Sequence, residues 1–352
     1  MYGSDFTGIG NYIQELVREL SLLNSEFNFV LYFNEPEYSK FKLPNKNFKK
    51  ILVNCPIYSL KEQIKFATIL YQTNPDLMHF PHFNAPIFYL KKTIVTIHDL
   101  TLNRFATSRI KKFAYNLSIV INVLKAKQII CVSDFSKNHL NKTFKIISKK
   151  VQTVHLGCLF KEKQPKHDSS LPKQYIFYAG NWKKHKNIEN LVLAFEILKN
   201  HYQYKGKLIL TGLPSPDNPK PLETIQKSKY ENQIILAKKL TSQQLAQHYN
   251  QCQCYVQPSL AEGFGLPILE AFYYNKPVVC SRAGSLPEIA QKAASYFNPL
   301  DPQDIALQIN NRLKNTDKNS NMLKLGSTRL KDFSFQTMAK KTYQIYKLCL
   351  KN

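Results

Sequence analysis

The chain has no long hydrophobic run. Its apolar stretches, such as Ile119–Leu124, fall far short of the roughly 20 residues a membrane-spanning helix needs. No apolar segment follows a basic one at the N-terminus, so no secretory signal is expected. The seven cysteines include no C-x-x-C pair and are odd in number, which argues against a disulfide framework and for a reducing cytosol. No Asp-x-Asp pair occurs, and with it goes a common carboxylate arrangement for a metal-bound diphosphate. No solenoid period is visible, and no nucleic-acid-binding motif is found. Acidic residues are scarce, 24 against 49 Lys and Arg, which gives a net charge of +25. That charge fits nucleic acid, an anionic membrane surface, anionic substrates or simply a solvated basic surface. It is concentrated between Asn103 and Lys150, where Asp134 is the only acid among eleven basic residues.

A length of 352 residues suggests two domains. The first half alternates helices and short apolar strands. Asn11–Leu23 has Tyr12, Leu16, Leu20 and Leu23 at helical spacing. Phe27–Phe33, Leu77–Phe80, Thr93–Ile97, Gln128–Val132 and Val151–Val154 read as strands. Arg109–Lys127 reads as a helix with Phe113, Leu117, Val120 and Leu124 on one face. The charged segment Lys161–Lys173 reads as a linker. The pattern then repeats, with strands at Tyr175–Tyr178, Lys207–Thr211, Gln233–Leu236, Cys254–Ser259 and Pro277–Cys280. Helices are expected at Asn187–Lys199, Thr241–Tyr249 and Thr337–Leu350, and Pro214–Pro221 reads as a loop. Such alternation implies parallel sheets with helices on both faces. Two such units suggest two Rossmann-like domains facing a cleft, with ligands at the carboxyl ends of the strands.

The stretch Glu262-Gly-Phe-Gly-Leu-Pro-Ile-Leu-Glu270 joins an apolar strand to a helix start. Glycine permits close backbone approach, proline suits the first helical position, and free N–H groups there attract anions. The two carboxylates would serve hydroxyls rather than phosphate. A corner of this kind suggests a sugar-nucleotide site. Tyr178-Ala-Gly-Asn-Trp-Lys-Lys-His-Lys-Asn187 crowds Lys183, Lys184 and Lys186 around a glycine turn; it suits a diphosphate or is a solvated basic loop capped by Asn187. Ser281-Arg-Ala-Gly-Ser-Leu-Pro-Glu288 is a third strand-to-helix joint, or a plain loop with a Ser285 cap and Pro287 at the first helical position. His98 ends a strand, either aimed into the cleft or held structurally by Asp99. His79 and His82 precede it at a spacing that is not a standard zinc pattern. Thr7-Gly-Ile-Gly-Asn-Tyr12 is a glycine turn before a helix.

Together these motifs resemble glycosyltransferase family 4, retaining enzymes of the GT-B fold, and within it the bacterial mannosyltransferase-like branch that serves O-antigen and related polysaccharides. The core of the likeness is Pro258–Ala271, which looks like the family's E-x7-E motif. Phe80–Asn84, Thr96–Leu100, Val132-Ser133 and Leu286–Ala290 also match. The resemblance implies that Glu262 bonds donor-sugar hydroxyls and Glu270 the ribose. Gly263, Phe264, Gly265 and Leu266 would line the donor, with backbone N–H groups near Gly265 and Leu266 on the distal phosphate. Lys186 would neutralise the leaving diphosphate, and His98 would lie by donor sugar and acceptor. Gly8 and Gly10 would let the first domain close over the phosphates.

The expected organisation is an N-terminal acceptor-side domain over 1–165 and a nucleotide-sugar-binding domain over 166–335. Helix 336–352 would pack back on the first. Asn181 stands where the family often has Arg, so the clamp leans on Lys186, aided by Lys184. Met1–Phe6 is not an apolar strand, so the family's first strand is missing ahead of Gly8; an upstream start and an N-terminally truncated inactive remnant are the two readings. The expected enzyme is a metal-independent hexosyltransferase without cofactor. It would move mannose from GDP-mannose, or alternatively a sugar from a UDP-sugar, to a saccharide or lipid-linked acceptor. It is expected in the cytoplasm, peripheral on the inner membrane face through the basic helix where the acceptor is lipid-linked, with no nucleic-acid partner.

Overall fold

The computed structural model describes residues 8–100, 109–145, 148–158 and 165–351. Met1–Phe6, Arg104 and residues 161–164 of the expected linker lie outside them. The chain divides into two compact units, Met1–Gly157 with Ser334–Asn352, and Cys158–Phe333.

In the first unit, α1 (Gly8–Ser21) leads to β1 (Phe29–Phe33) and β2 (Phe48–Leu52). α2 (Ala67–Thr73), β3 (Met78–Phe80), β4 (Thr93–Ile97), α3 (Arg109–Lys125), β5 (Gln128–Cys131), α4 (Asp134–Phe144) and β6 (Val151–Thr153) follow. β3 to β6 form a parallel sheet in sequence order, while β1 and β2 form a separate parallel pair. β4 is buried along its whole length, as a central parallel strand must be. β1 is only partly buried at four of its five positions. A cavity of about 990 Å³ lies against it, lined by every residue of β1 and β3 and by Ile13, Leu16, Val17 and Leu20 of α1.

Two expectations change here. Gly8 and Gly10 do not form a turn ahead of the helix but sit in its first turn. On α3, Phe113 and Leu124 are 70% and 68% exposed, and Leu117 is also exposed. The buried face instead carries Tyr115, Ile119, Asn122 and Val123. Tyr115, Ile119 and Val123 of that face join the core, and the Asn122 side-chain amide donates to the carbonyls of Phe83 and Ala85.

The second unit holds a six-stranded parallel sheet. Its strands are β7 (Tyr175–Tyr178), β8 (Lys207–Thr211), β9 (Ile234–Ala237), β10 (Cys254–Gln257), β11 (Val278–Ser281) and β12 (Ala294–Phe297). They lie in the order β12-β11-β10-β7-β8-β9. The helices between and after them are α5 (Ile188–Asn200), α6 (Lys220–Gln226), α7 (Ser242–Gln251), α8 (Leu266–Tyr273), α9 (Leu286–Ala290), α10 (Pro302–Lys314) and α11 (Thr316–Leu330). α6 starts inside the proline-rich stretch expected as a loop, because Pro221 falls in its first turn, where a missing N–H costs nothing. α12 (Phe335–Lys351) belongs to the first unit and packs against α1. Lys347 reaches Glu26 at 3.0 Å there. Among the described residues no helix is long and apolar enough to cross a membrane.

Candidate active site

In the second sheet, successive crossovers run outward from β7 to β8 and β9, then return to β10 on the other side of β7. The carboxyl ends of β7 and β10 therefore flank a topological switch point, where open parallel sheets bind ligands. The loops leaving these two strands are the basic and the acidic stretch. They are tied together through their backbones. The Leu260 N–H donates to the His185 carbonyl at 2.7 Å. Asn187, buried with a left-handed backbone (φ 58°), donates from Nδ2 to the carbonyls of Pro258 and Pro299. Its side chain thus bridges loops and does not cap α5.

Lys186 and Glu262 form an ion pair of 2.7 Å, with side chains 15% and 11% exposed. Glu262 Oε1 also accepts from Gln257 Nε2 and from Ser259 Oγ, each at 2.7 Å. Lys183 and Lys184 are exposed. Asn181 is exposed too, with its Oδ1 3.4 Å from the Lys183 N–H.

Beyond Glu262 the chain passes through Gly263 and Phe264 to Gly265, which takes φ +108° at the start of α8. That backbone suits glycine alone, and a Cβ there would meet Leu286 Cδ2 at 2.8 Å. Leu266 and Pro267 open α8. The third stretch buttresses this corner. Gly284 (φ +64°) packs so closely on Glu262 that a Cβ would lie 2.6 Å from its backbone N and O. Ser285 is at the α9 start, but its hydroxyl donates to the carbonyls of Glu262 and Phe264 rather than capping the helix.

Glu270, on the second turn of α8, is 8% exposed and accepts from the Tyr249 hydroxyl at 2.8 Å. Burial pushes its carboxyl up to about 7, against the opposing hydrogen bond from Tyr249. It is therefore poised between neutral and charged at physiological pH.

In the first unit, His98 donates from Nε2 to the Pro81 carbonyl at 3.0 Å, which leaves Nδ1 as the acceptor. Its ring meets Tyr12 edge-on at 4.9 Å. Burial holds its imidazole below the usual range. His79 uses both ring nitrogens on the hydroxyls of Thr96 and Tyr346, at 2.8 and 2.6 Å. That leaves neither free for a metal. Gly8 opens α1 with nothing within 4 Å of an added Cβ.

Sequence reasoning missed Gln257, Ser259 and Tyr249, and read Ser285 as a helix cap. A glutamine inside an otherwise apolar strand was the one available signal.

Two α/β units built on parallel sheets, with an acid-and-lysine corner at a switch point, define a glycosyltransferase of the GT-B fold. Both halves of the chain match glycosyltransferase families: residues 6–158 match the family described as Glycosyltransferase Family 4, and residues 160–328 match Glycosyl transferases group 1. It is 26% identical to O-antigen chain mannosyltransferase B of Escherichia coli, over 97% of this chain and 96% of that protein. It is 23% identical to the O-antigen chain mannosyltransferase RfbU of Salmonella typhimurium, over 80% of this chain and 78% of that one. Among solved structures, sucrose-phosphate synthase of Thermosynechococcus elongatus superposes with a TM-score of 0.78 at 18% identity, covering 97% of this chain and 93% of its own. HepE of Anabaena in complex with UDP-glucose gives 0.75 at 15% identity, covering 99% and 98%. At these identities the structures speak for the fold.

Proposed function

We propose that the protein is a retaining, metal-independent mannosyltransferase that uses GDP-mannose and extends a saccharide or lipid-linked saccharide of a cell-surface polysaccharide. The observation that carries this reading is the Lys186–Glu262 pair at the switch point. It sets a cation for the diphosphate beside a carboxylate for sugar hydroxyls. Similarity to proteins named O-antigen chain mannosyltransferases supports mannose as the sugar moved.

In this reading the start of α8 supplies N–H groups to the distal phosphate, from Gly265 and Leu266. Glu270 takes the ribose hydroxyls, and Glu262 the sugar. Lys186 stabilises charge as it develops on the leaving diphosphate, the largest catalytic contribution at such a site. The diphosphate itself helps deprotonate the acceptor, so no protein nucleophile and no cofactor are required. Donor turnover with GDP-mannose, and with UDP-sugars as the rival donors, tests the reading. Glu262→Gln and Lys186→Ala should each lower the rate by about 10²-fold or more. Unchanged turnover in both variants would sink it.

The first unit carries the acceptor-side residues, His98 among them, and we propose that α3 rests on an anionic cytoplasmic leaflet. Its exposed Phe113, Leu117 and Leu124 lie with exposed Lys112 and Lys127, a mixture suited to a lipid interface. Part of the basic run serves the fold instead. Lys125 donates to the carbonyls of Pro86, Ile87 and Tyr89, and Lys150 to those of Val123 and Leu124. Sedimentation should show binding to anionic vesicles that weakens with salt and with Phe113→Ser plus Leu124→Ser. Equal binding to neutral and anionic vesicles contradicts the proposal.

A further inference from the structure

Gln257 is fully buried at the carboxyl end of β10, in the middle of the second sheet. A polar side chain there is retained only if its amide is satisfied. It is satisfied on both ends. Nε2 donates to Ser259 Oγ and to Glu262 Oε1, each at 2.7 Å, and Oε1 accepts from the Tyr255 hydroxyl. Tyr255 is itself fully buried, with its hydroxyl 3.5 Å from the Ala179 carbonyl. A chain of buried polar groups thus runs from the sheet interior to a single oxygen of Glu262. That oxygen takes three donors: Gln257 and Ser259 are neutral and fully buried, and Lys186 is charged, 15% exposed, and ends a 3-10 turn.

We infer that Gln257 is a positioning residue that holds Glu262 independently of Lys186. This rests on the reading of the second unit as a nucleotide-sugar site. Lys186 pairs with Glu262 at 2.7 Å. A diphosphate competes for the same ammonium, because a charge-assisted bond to phosphate equals or exceeds one to carboxylate. When Lys186 turns to the diphosphate, Gln257 and Ser259 keep Oε1 in place. The carboxylate then continues to present its other oxygen to the sugar. Without Gln257, recruitment of Lys186 by the diphosphate would release Glu262, and the nucleotide would bind at the expense of the sugar contact.

The test separates those two ligand parts. Calorimetric affinities are measured for GDP and GDP-mannose, with UDP and UDP-glucose as the parallel pair, in the wild-type chain, Gln257→Leu and Tyr255→Phe. Gln257→Leu should keep its affinity for the nucleoside diphosphate within about two-fold while its preference for the sugar-bearing form falls about ten-fold or more, the worth of one hydrogen bond to a charged group. Tyr255→Phe, which leaves the amide in place but removes its anchor, should shift the same preference in the same direction by less, and it serves if Gln257→Leu fails to fold. Parallel loss of both ligands, or no loss of either, overturns the positioning role while leaving the site reading intact. A wild-type chain that binds none of the four ligands overturns the site reading, and this inference with it.

Discussion

Glu270 shows how one buried carboxyl links stability to ligand chemistry. Its folded-state pKa is raised, to about 7 from 4.5. The native state then binds more protons than the unfolded chain between those values, so stability falls as pH rises through that window. Glu270→Gln should remove this contribution and raise stability at pH 8 by about 3 kcal/mol, measured by denaturant unfolding. Ribose hydroxyls donating to the carboxylate favour its charged form, so nucleotide binding near pH 6.5 should release a proton. Calorimetry in buffers of different ionisation enthalpy reads that release, and a buffer-independent heat would rule out Glu270 as the ribose ligand. The two glycine positions make a second contrast. Gly284→Ala drives a Cβ into the backbone of Glu262 at a left-handed position and should cost about 2 kcal/mol or more. Gly8→Ala enters open space in a helix and should be neutral or slightly stabilising. Lost turnover in a fully stable Gly8→Ala would therefore report ligand approach to that helix start.

Among the elements of the described residues, β1 and β3 are edge strands, as are β2, β6, β9 and β12. The Phe29 N–H donates to the Asn47 carbonyl and the Phe33 carbonyl accepts from the Val53 N–H. Alternate residues of a strand face the same neighbour, so the amides of Val30 and Tyr32 point away from β2. By the same reasoning the His79 amide points away from β4, since the Met78 N–H donates to Lys92 on that side. Segments 29–33 and 78–80 should accordingly exchange amide hydrogen orders of magnitude faster than 93–97, as mass spectrometry of peptic fragments can show. Equal protection would mean that the edges are paired. Strand positions were legible in the sequence because short β-branched runs bounded by turns have few other solutions. The acidic corner was legible because Gly265 and Pro267 mark a strand-to-helix joint from composition alone. The buried face of α3 was not legible. Its apolar residues surround the helix, and the buried set, with the Asn122 amide on two distant carbonyls, is chosen by what the fold brings against it. Gln257 and Ser259 escaped because their bonds to Glu262 depend on the turn that follows β10, and the bridging role of Ser285 because its carbonyl partners lie more than 20 residues away in sequence.

For the whole molecule, the two units should answer acid in opposite ways. In the first, burial pushes His79 and His82 each down to about 3, while a raised Glu62 carboxyl opposes them. A depressed histidine contributes stability that is present above its unfolded pKa and is lost as pH falls below 6.5, here about 3 kcal/mol for the pair by pH 5.5. In the second unit the raised Glu270 carboxyl gains about 2 kcal/mol on going from pH 8 to 5.5. The lowered His248 opposes part of that gain. The chain holds a single tryptophan, Trp182, fully buried in the second unit with its indole N–H on the Thr211 carbonyl. Its fluorescence reports that unit alone, whereas far-ultraviolet circular dichroism reports both. At pH 8 the two thermal transitions set a baseline separation. At pH 5.5 the dichroism should lose a component at lower temperature while the Trp182 transition holds or rises, and His79→Gln should shrink the gap if the variant folds. Transitions that fall together with acid would show instead that the units unfold as one and that the histidine cluster destabilises the whole chain.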